Sequence, residues 1–376
     1  MYRLVQRRGI IGLFCLLFVA SSVVPGWAQK DNRFEVSKNL DIFNSLLKEV
    51  EMFYVDSVDV DKTVQRGIEA MLAGLDPYTE YYPEQKTEEL SLMTTGEYGG
   101  IGSLIRQRNN EGGVMIAEPT EGMPADLAGL KPGDLILAID TIDVSKATNS
   151  RVSELLKGVP NTKMVLTIQR PGEKKPRKFE ITRKQITTPQ VTYYGVKNDS
   201  IGYIYLKAFT IKSAQEVKEA FLDLKKNHNI KSLVLDLRGN GGGVLEGAVQ
   251  IVGMFVPKGS EVLSTKGKIK QWDRTYRTST EPLDTVMPLA ILINGGTASA
   301  AEIVSGSLQD MDRAVLVGQR SFGKGLVQAP RDLPYNGKVK ITMSKYYIPS
   351  GRCIQQIDYS HRKEDGSCLL YTSDAA

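Results

Sequence analysis

The chain has 376 residues, of which 41% are hydrophobic and 24% are charged, and its formal net charge at pH 7 is +5. This length allows two or three domains, each with its own core, and the composition is that of an ordinary globular protein. The small charge excess gives no basis for nucleic-acid binding, because proteins of that class concentrate Lys and Arg in a basic patch.

The amino terminus has the pattern of a secretory signal. Arg3, Arg7 and Arg8 precede an uncharged apolar run, Gly9–Val24, which is short for a membrane-spanning helix. Small residues then lead to Ala28 at the position that a signal peptidase reads. We therefore expect cleavage after Ala28 and export, for instance to the periplasm. The alternative is an uncleaved helix that associates with the inner membrane.

Two amphipathic helices are predicted next, within a segment that spans residues 30–87. Apolar residues recur at steps of three and four over Glu35–Tyr54 and over Val60–Leu75, which is the spacing of one helix face. An aromatic, extended passage, Tyr78–Pro83, follows. We predict a helical segment that packs on a larger body or forms a homodimer, with no chemical role.

Residues 88–186 have the pattern of a PDZ domain, a small barrel of strands with one short and one longer helix. Strands are predicted at Gly113–Pro119, Lys163–Arg170 and Lys178–Arg183, and the turn Gly129–Asp134 resembles the corresponding turn of PDZ domains. A domain of this kind adds an extended peptide to the edge of its sheet.

A glycine-rich loop opens this region and is the predicted peptide site. Backbone N–H groups of such a loop hold the terminal carboxylate of a peptide. Ile101 and Leu104 are expected to line an apolar pocket for its last side chain. Taken alone, the glycines would equally suit a simple turn. The predicted carboxylate-binding loop consists of Tyr98, Gly99, Gly100, Ile101 and Gly102.

Strands and helices alternate from residue 187 to residue 367. This alternation predicts an α/β domain with a largely parallel sheet. The polar segment Gly259–Asp284 is predicted to be a loop or a hairpin. The predicted strands are Ile201–Leu206, Ser232–Arg238, Leu289–Asn294 and Ala314–Gly318, and the predicted helices are Ala214–Lys226, Leu245–Phe255 and Ala300–Gln309.

A serine and a lysine in this domain are the candidate catalytic pair. Ser299 lies where a strand turns into a helix, and a tight turn there exposes the hydroxyl. Lys324 stands between two glycines, and desolvation that lowers its pKa from about 10.4 to roughly 7–8 would make it a base for the serine. Gln328 is close enough to orient the amine. The plain alternative is a surface serine and a surface lysine.

Two other chemistries fit less well. Gly318–Lys324 matches a phosphate-binding loop, but Gly325 stands where Ser or Thr would hold Mg²⁺, and prolines follow where a helix is required. His228 and His361 are the only histidines, and neither lies in a motif for zinc or for a Ser-His-Asp triad. We expect neither a metal nor a cofactor.

A further glycine loop follows the strand that ends near Asp236. The backbone N–H groups of Gly239–Gly243 can stabilise a tetrahedral oxyanion, together with the N–H of Ala300 at the start of the next helix. These glycines would also suit a tight strand-to-helix turn. Arg238 is either an ion-pair partner of Asp236 or an anchor of the loop, and we assign it no catalytic role.

Four motifs in this order resemble those of the carboxyl-terminal processing peptidases, also called tail-specific proteases. They are GEYGGIG at residues 96–102, DLRGNGGG at 236–243, GTASAAE at 296–302 and SFGKGLVQ at 321–328. The resemblance implies a mixed α/β core related to the Clp-protease and crotonase folds, with an inserted PDZ domain. The site residues that it implies are the nucleophile Ser299, the general base Lys324, its orienting partner Gln328, and an oxyanion hole at Gly241 or Gly242 and at Ala300.

The function we predict is that of an exported serine endopeptidase whose PDZ domain recognises the apolar C-termini of proteins. Its expected partners are protein or peptide substrates, with an adaptor protein and a second copy of the chain as further candidates, and no nucleic acid. The alternative is a scaffold that binds C-terminal peptides without cleaving them.

The carboxyl terminus departs from this pattern. Cys368–Ala376 matches an in-frame translation of a common transposase sequencing adapter. We expect these residues to be non-native and the native chain to continue beyond about Ser367. After removal of the leader, Cys353 and Cys368 are the remaining cysteines, which gives no disulfide framework.

Overall fold

A computed structural model describes residues 32–108, 112–363 and 367–370. The predicted signal peptide, residues 1–28, and the last part of the suspect tail, residues 371–376, lie outside the described residues. The chain divides into two compact units, Met1–Ile68 and Glu69–Ala376. Across the described ranges, no helix combines the length and the apolar character needed to cross a membrane.

The first unit contains helix α1 (Arg33–Phe53) and most of helix α2 (Val60–Ala73), and both predicted helices are confirmed. Helix α1 has no buried residue. Its apolar side chains, among them Leu40 and Leu46 with exposed fractions of 63% and 58%, form a stripe at the three- and four-residue spacing of one face.

In the second unit, the chain passes through strand β1 (Glu80–Tyr82), a short 3-10 turn and helix α3 (Thr87–Thr95) into a six-stranded antiparallel sheet. Its strand order is β3-β4-β5-β7-β8, with β6 beside β5. Strand β2 (Glu97–Gly100) precedes this sheet in the chain and β9 (Lys184–Thr187) follows it. The two strands pair antiparallel, so the chain enters and leaves this region side by side. The remaining elements are β3 (Ser103–Gln107), β4 (Val114–Pro119), β5 (Leu135–Ile139), β6 (Ile142–Asp143), β7 (Lys163–Gln169), β8 (Arg177–Thr182), α4 (Pro124–Leu127) and α5 (Asn149–Leu156).

This sheet has its own core because alternate residues of its strands point inward. Ile116, Ile136 and Ile168 are fully buried there. Below the core, the guanidinium of Arg170 forms two hydrogen bonds of 2.8 Å with the carboxylate of fully buried Asp134. The ion pair fixes the turn that the sequence matched to PDZ domains.

The residues from Val191 to Gly318 contain the predicted α/β layer. One sheet has the order β10-β11-β12-β15-β16, in which the last four strands are mutually parallel and β10 is antiparallel to β11. Because parallel strands end at one edge, the loops after β12 and β15 lie together. The elements are β10 (Val191–Lys197), β11 (Ile201–Leu206), α6 (Ser213–Asn227), β12 (Ser232–Asp236), α7 (Leu245–Gly253), β15 (Leu289–Ile293), α8 (Ala300–Asp310) and β16 (Val315–Gly318).

A second sheet of this region joins strands that are far apart in the sequence. Its order is β1-β18-β13-β14, and β17 pairs with β18 as well. The hairpin of β13 and β14 lies in the polar segment that was predicted to be a loop or a hairpin. The strands are β13 (Glu261–Gly267), β14 (Arg274–Arg277), β17 (Leu326–Asp332) and β18 (Lys338–Tyr347), and β19 (Ile357–Arg362) pairs separately with β20 (Cys368–Leu370). The predicted mixed α/β fold class is confirmed.

Candidate active site

Ser299 occupies the turn between β15 and α8, as predicted. Its backbone has φ 56° and ψ −117°, a conformation that L-residues adopt at a cost of about 1–3 kcal/mol. The turn is held by Thr297, whose hydroxyl donates to Leu237 O at 2.8 Å and accepts from Asn294 N at 3.0 Å. The half-buried side chain of Ser299 lies at the amino-terminal end of α8, where Ser299 and Glu302 form a capping box.

The carboxylate of Glu302 connects this turn to the segment that carries Lys324. Its Oε2 accepts hydrogen bonds from the backbone N–H of Ser299 at 2.7 Å and of Lys324 at 2.9 Å. Its Oε1 accepts from the Ser321 hydroxyl at 2.7 Å and from Gly323 N at 2.6 Å. One buried side chain therefore fixes the distance between the two backbone segments of the candidate pair.

Tyr346 makes a second connection between the same two segments. Its ring is buried, with 1% exposure, and its hydroxyl contacts Ser299 O at 3.2 Å and also Lys324 O. Glu302 thus engages the N–H groups of both residues, and Tyr346 engages their carbonyl groups. Relative movement of the two backbones would break bonds at both places.

The ammonium group of Lys324 lies over an aromatic ring. Its Nζ is 4.3 Å from the centroid of the Tyr78 ring, and among the described residues no hydrogen bond joins it to Ser299 Oγ. Burial lowers the pKa of Lys324 to about 8, the nearby charge of Lys340 acts in the same direction, and the carboxylates of Glu80, Asp76 and Glu302 oppose the shift. A lysine of this kind is neutral often enough to accept a proton near pH 8.

Gln328 was predicted to orient the amine of Lys324, and the structure places its side chain on a different partner. A shift of register between Val327 and Gln328 in the β17–β18 ladder accompanies its pairing with Thr342. Its Nε2 donates to Thr342 Oγ1 at 3.1 Å, and within the described ranges no hydrogen bond joins it to Lys324. Its role as an orienting partner stays a prediction.

The glycine loop after β12 lies directly against Ser299. A Cβ atom on Gly242, which has φ 94°, would be 2.7 Å from Ser299 Cβ, so only glycine fits there. The N–H of Gly242 donates to the buried Asn240 Oδ1 at 2.9 Å, however, and is therefore already engaged. In the described part of the chain, the N–H groups of Gly241 and Ala300 have no such partner, which favours these two as oxyanion donors.

The predicted peptide loop lies at the edge of the PDZ-like sheet. Tyr98, Gly99 and Gly100 belong to β2, and the loop residues Ile101 and Gly102 lead into β3. Among the described strands, β3 pairs with β4 alone, which leaves its other edge free for an added strand.

Of the two side chains predicted to line the peptide pocket, one lies in the core of the domain instead. Ile101 is 3% exposed and packs inside the domain, whereas Leu104 of β3 is 56% exposed. The structure therefore leaves Leu104 available to a peptide and removes Ile101 from that surface.

Neither histidine has the geometry of a triad base. His361 Nδ1 lies 2.7 Å from Asp358 Oδ2 and 3.1 Å from Ser360 Oγ, whereas a triad needs the carboxylate and the serine on different ring nitrogens. His228 Nε2 lies 3.8 Å from Asp223 at the end of α6. The helix that a phosphate-binding loop requires after Lys324 is replaced by strand β17.

Of the two alternatives for Arg238, the structure supports the ion pair. Its Nε and Nη2 contact both carboxylate oxygens of buried Asp236 at 2.6–3.1 Å. Tyr203 OH donates to the same carboxylate at 2.6 Å. These partners lower the pKa of Asp236 despite its burial, so the pair stabilises the end of β12.

Replacement of Glu302 by Gln is expected to lower kcat about 10²-fold and stability by about 2 kcal/mol. Each carboxylate oxygen accepts two donors, so an amide NH₂ in place of either oxygen would face two N–H or O–H groups. Enzyme assays and thermal unfolding measure the two effects. Glu246→Gln, on the exposed first turn of α7, is the matched control, and equal effects of both variants would contradict this role.

The comparisons with known proteins agree with these features. A model of peptidase family S41 matches residues 200–360, and a PDZ-domain model matches residues 115–170. The carboxy-terminal-processing protease of Bartonella bacilliformis is 36% identical over 345 residues, which are 91% of this chain and 77% of the relative. A probable CtpA-like serine protease of Staphylococcus aureus is 33% identical over 320 residues, which are 84% of this chain and 62% of the relative.

Among solved structures, the photosystem II D1 C-terminal processing protease is similar to 88% of this chain, with 91% of its own chain covered, 29% identity and a TM-score of 0.46. The identity and coverage of the Bartonella relative define the class: the chain is a serine peptidase that carries a PDZ domain. It belongs to peptidase family S41.

Proposed function

We propose that the protein is an exported endopeptidase that processes or degrades other proteins from their C-termini, with Ser299 as nucleophile and Lys324 as general base. The observation that carries this proposal is the connection of a strained serine to a desolvated lysine through Glu302 and Tyr346. Both segments are held in place while the lysine side chain remains free of ion pairs among the described residues.

The proposed reaction begins with neutral Lys324. Its amine takes the proton of Ser299 Oγ, and the oxygen attacks the carbonyl carbon of the peptide bond. The N–H groups of Gly241 and Ala300 stabilise the oxyanion. Collapse of the intermediate releases the amine product, which receives the proton from the lysine. Water then repeats the sequence on the acyl-enzyme and restores the free serine.

In the present conformation the lysine amine and the serine hydroxyl are not hydrogen bonded. Catalytic hydrogen bonds are often formed only when substrate is bound. We infer that substrate engagement moves the amine from Tyr78 towards Ser299, and that the position of the PDZ domain takes part in this step.

The domain boundaries that we propose are supported in one place, where two separate hydrophobic cores distinguish the PDZ domain from the catalytic domain. The proposed segments are a signal peptide at residues 1–28, a helical segment at 30–87, a PDZ domain at 88–186, a catalytic domain at 187–367, and a non-native tail at 368–376. The free edge of β3 and exposed Leu104 would bind the last residues of a substrate, and the loop of Tyr98–Gly102 would hold its carboxylate.

Leu104→Asp is expected to lower kcat/KM for substrates with an apolar C-terminus by roughly 10- to 100-fold, the effect of losing one buried leucine contact. The side chain is exposed, so the fold should not change. Leu127→Asp, at a position that is 66% exposed on α4, is the control. Equal cleavage by the wild type, Leu104→Asp and Leu127→Asp would contradict this role of the PDZ domain. So would equal cleavage by the wild type of two substrate peptides that differ only in a free or an amidated C-terminus.

Mass spectrometry of the fragments that form from candidate periplasmic proteins tests the whole proposal. We expect new C-termini with the intact enzyme and none with Ser299→Ala. Binding of C-terminal peptides without any cleavage would instead support the scaffold function.

Two further measurements test export and assembly. The N-terminal mass of the secreted protein tests cleavage after Ala28. Light scattering with and without candidate adaptors tests the proposed homodimer and adaptor.

A further inference from the structure

We propose that Tyr78 is a positioning residue for Lys324: its ring face holds the ammonium group in the resting enzyme and sets how readily that group releases its proton. The inference rests on the proposed role of Lys324 as the base. It assigns a function to the aromatic passage Tyr78–Pro83, for which the sequence suggested none.

Among the described residues, the ammonium group of Lys324 forms no ion pair within 4.0 Å, and the ring face of Tyr78 is its aromatic partner. Nζ lies 4.3 Å from its centroid, within the range in which a cation is attracted to the face of an aromatic ring. The attraction is stronger at desolvated sites, and the lysine here is half-buried.

Tyr78 itself is held firmly. The carboxylate of Asp76 accepts from Tyr78 N and Thr79 N, both at 2.8 Å, and from the Thr79 hydroxyl at 3.0 Å. Thr342 N in turn donates to the Thr79 hydroxyl at 3.1 Å, and β1 continues the contact as a strand beside β18. The backbone of Tyr78 is therefore fixed by the Asp76 turn and by the pairing of β1 with β18, and this fixes where its ring begins.

Tyr359 fixes the far side of the ring. The two rings pack edge to face with centroids 5.9 Å apart, and their hydroxyl groups are 3.4 Å apart. Burial and this contact raise the pKa of Tyr78 well above its usual value. The phenol therefore remains neutral over the working pH range, and it is the ring face, not a phenolate, that the lysine meets.

Two opposing influences act on the lysine. Burial and Lys340 favour the neutral amine, whereas the nearby carboxylates and the ring face favour the ammonium form. The ring thus restrains the loss of charge that burial promotes, and it keeps Nζ away from Ser299 until substrate arrives. The charged and titratable groups that face this position are Asp76 and Glu80 on the Tyr78 segment, Glu302 on α8, Lys340 and Tyr346 on β18, and Tyr359 on β19.

The test compares Tyr78→Leu with Tyr78→Phe in the full chain. Limited acetylation with acetic anhydride, followed by mass spectrometry of the Lys324 peptide, reports the pH at which the amine becomes reactive. Loss of the ring face in Tyr78→Leu is expected to lower this midpoint by about one pH unit. Tyr78→Phe keeps the ring face and should remain within a few tenths of a unit of the wild type. Tyr78→Met, whose flexible side chain fills similar space, replaces the leucine variant if that protein does not fold.

An unchanged or higher midpoint in the leucine and methionine variants would overturn the inference. So would an equal downward shift in Tyr78→Phe, because the hydroxyl contact with Tyr359 would then be responsible. The labelling does not depend on catalysis. If Lys324→Met retained activity while the midpoint still shifted in Tyr78→Leu, the dyad proposal would fail and the ring contact would stand.

Discussion

Replacement of Ser299 by alanine is expected to lower kcat/KM by at least about 10⁴-fold, because the variant lacks the oxygen that we propose forms the acyl-enzyme. The fold should be kept, since the substitution removes only the capping contact of the Ser299 side chain with the first turn of α8, which is worth about 1 kcal/mol. Peptide cleavage and thermal unfolding measure the two properties. Ser305→Ala, on the same helix with a hydroxyl that donates to Ala301 O at 2.9 Å, is the control and should retain activity within a few fold.

Ser299→Gly separates strain from chemistry. Glycine adopts φ 56° without the clash that an L-residue has there, so this variant should be as inactive as the alanine variant but about 1 kcal/mol more stable than it. Active-site residues often adopt strained conformations that lower the stability of the folded protein but are needed for activity. Equal stability of the two variants would show that the turn is not strained, and full activity of either would rule out Ser299 as nucleophile.

Lys324→Met is the second large effect, again at least about 10⁴-fold in kcat/KM. Burial disfavours the ammonium form of Lys324, so the apolar side chain should leave the melting temperature equal or higher. Lys207→Met, at an exposed position, is the matched control. A fully active Lys324→Met enzyme would contradict the assignment of the base.

The pH dependence of the wild type follows from the same lysine. Its pKa is lowered to about 8. Below pH 8 most molecules carry the ammonium form, which cannot accept a proton, so kcat/KM should fall about tenfold per pH unit. Above pH 8 the amine is neutral and the rate should level off. A profile already level at pH 6 would contradict a lysine base.

The elements that could be predicted from the sequence are those whose signals are local. Periodicity identified α1 and α2, and apolar runs identified β11, β12 and β15. Ser299 could be found because a serine between a strand and a helix is itself a local signal. The polar stretch Thr87–Thr95 carries no helical periodicity, and α3 was missed there.

The remaining site residues depend on contacts between distant parts of the chain. Tyr78 reaches Lys324 because β1 pairs with β18, although Glu80 and Lys340 are separated by 260 residues. Glu302 reads as a capping residue of α8, and only the fold brings Ser321, Gly323 and Lys324 to its carboxylate. No periodicity or spacing in the sequence contains this information.

Backbone geometry bears on two predicted site details that stay predictions. The turn after β12 directs the N–H of Gly242 to Asn240, and we therefore propose Gly241 and Ala300 as the oxyanion donors. The irregular register of β17 accompanies a hydrogen bond from Gln328 to Thr342 and not to the lysine. Thr342 also contacts Thr79, so Gln328 belongs to the network that positions Tyr78.

The reaction of a fluorophosphonate with the enzyme tests the central claim most directly, because it reports nucleophile activation without a known substrate. We expect the label on Ser299 alone, at a rate that rises with pH up to about 8 and is lost in Lys324→Met. Labelling of another serine, or labelling of Ser299 at an equal rate in Lys324→Met, would contradict a serine nucleophile activated by this lysine.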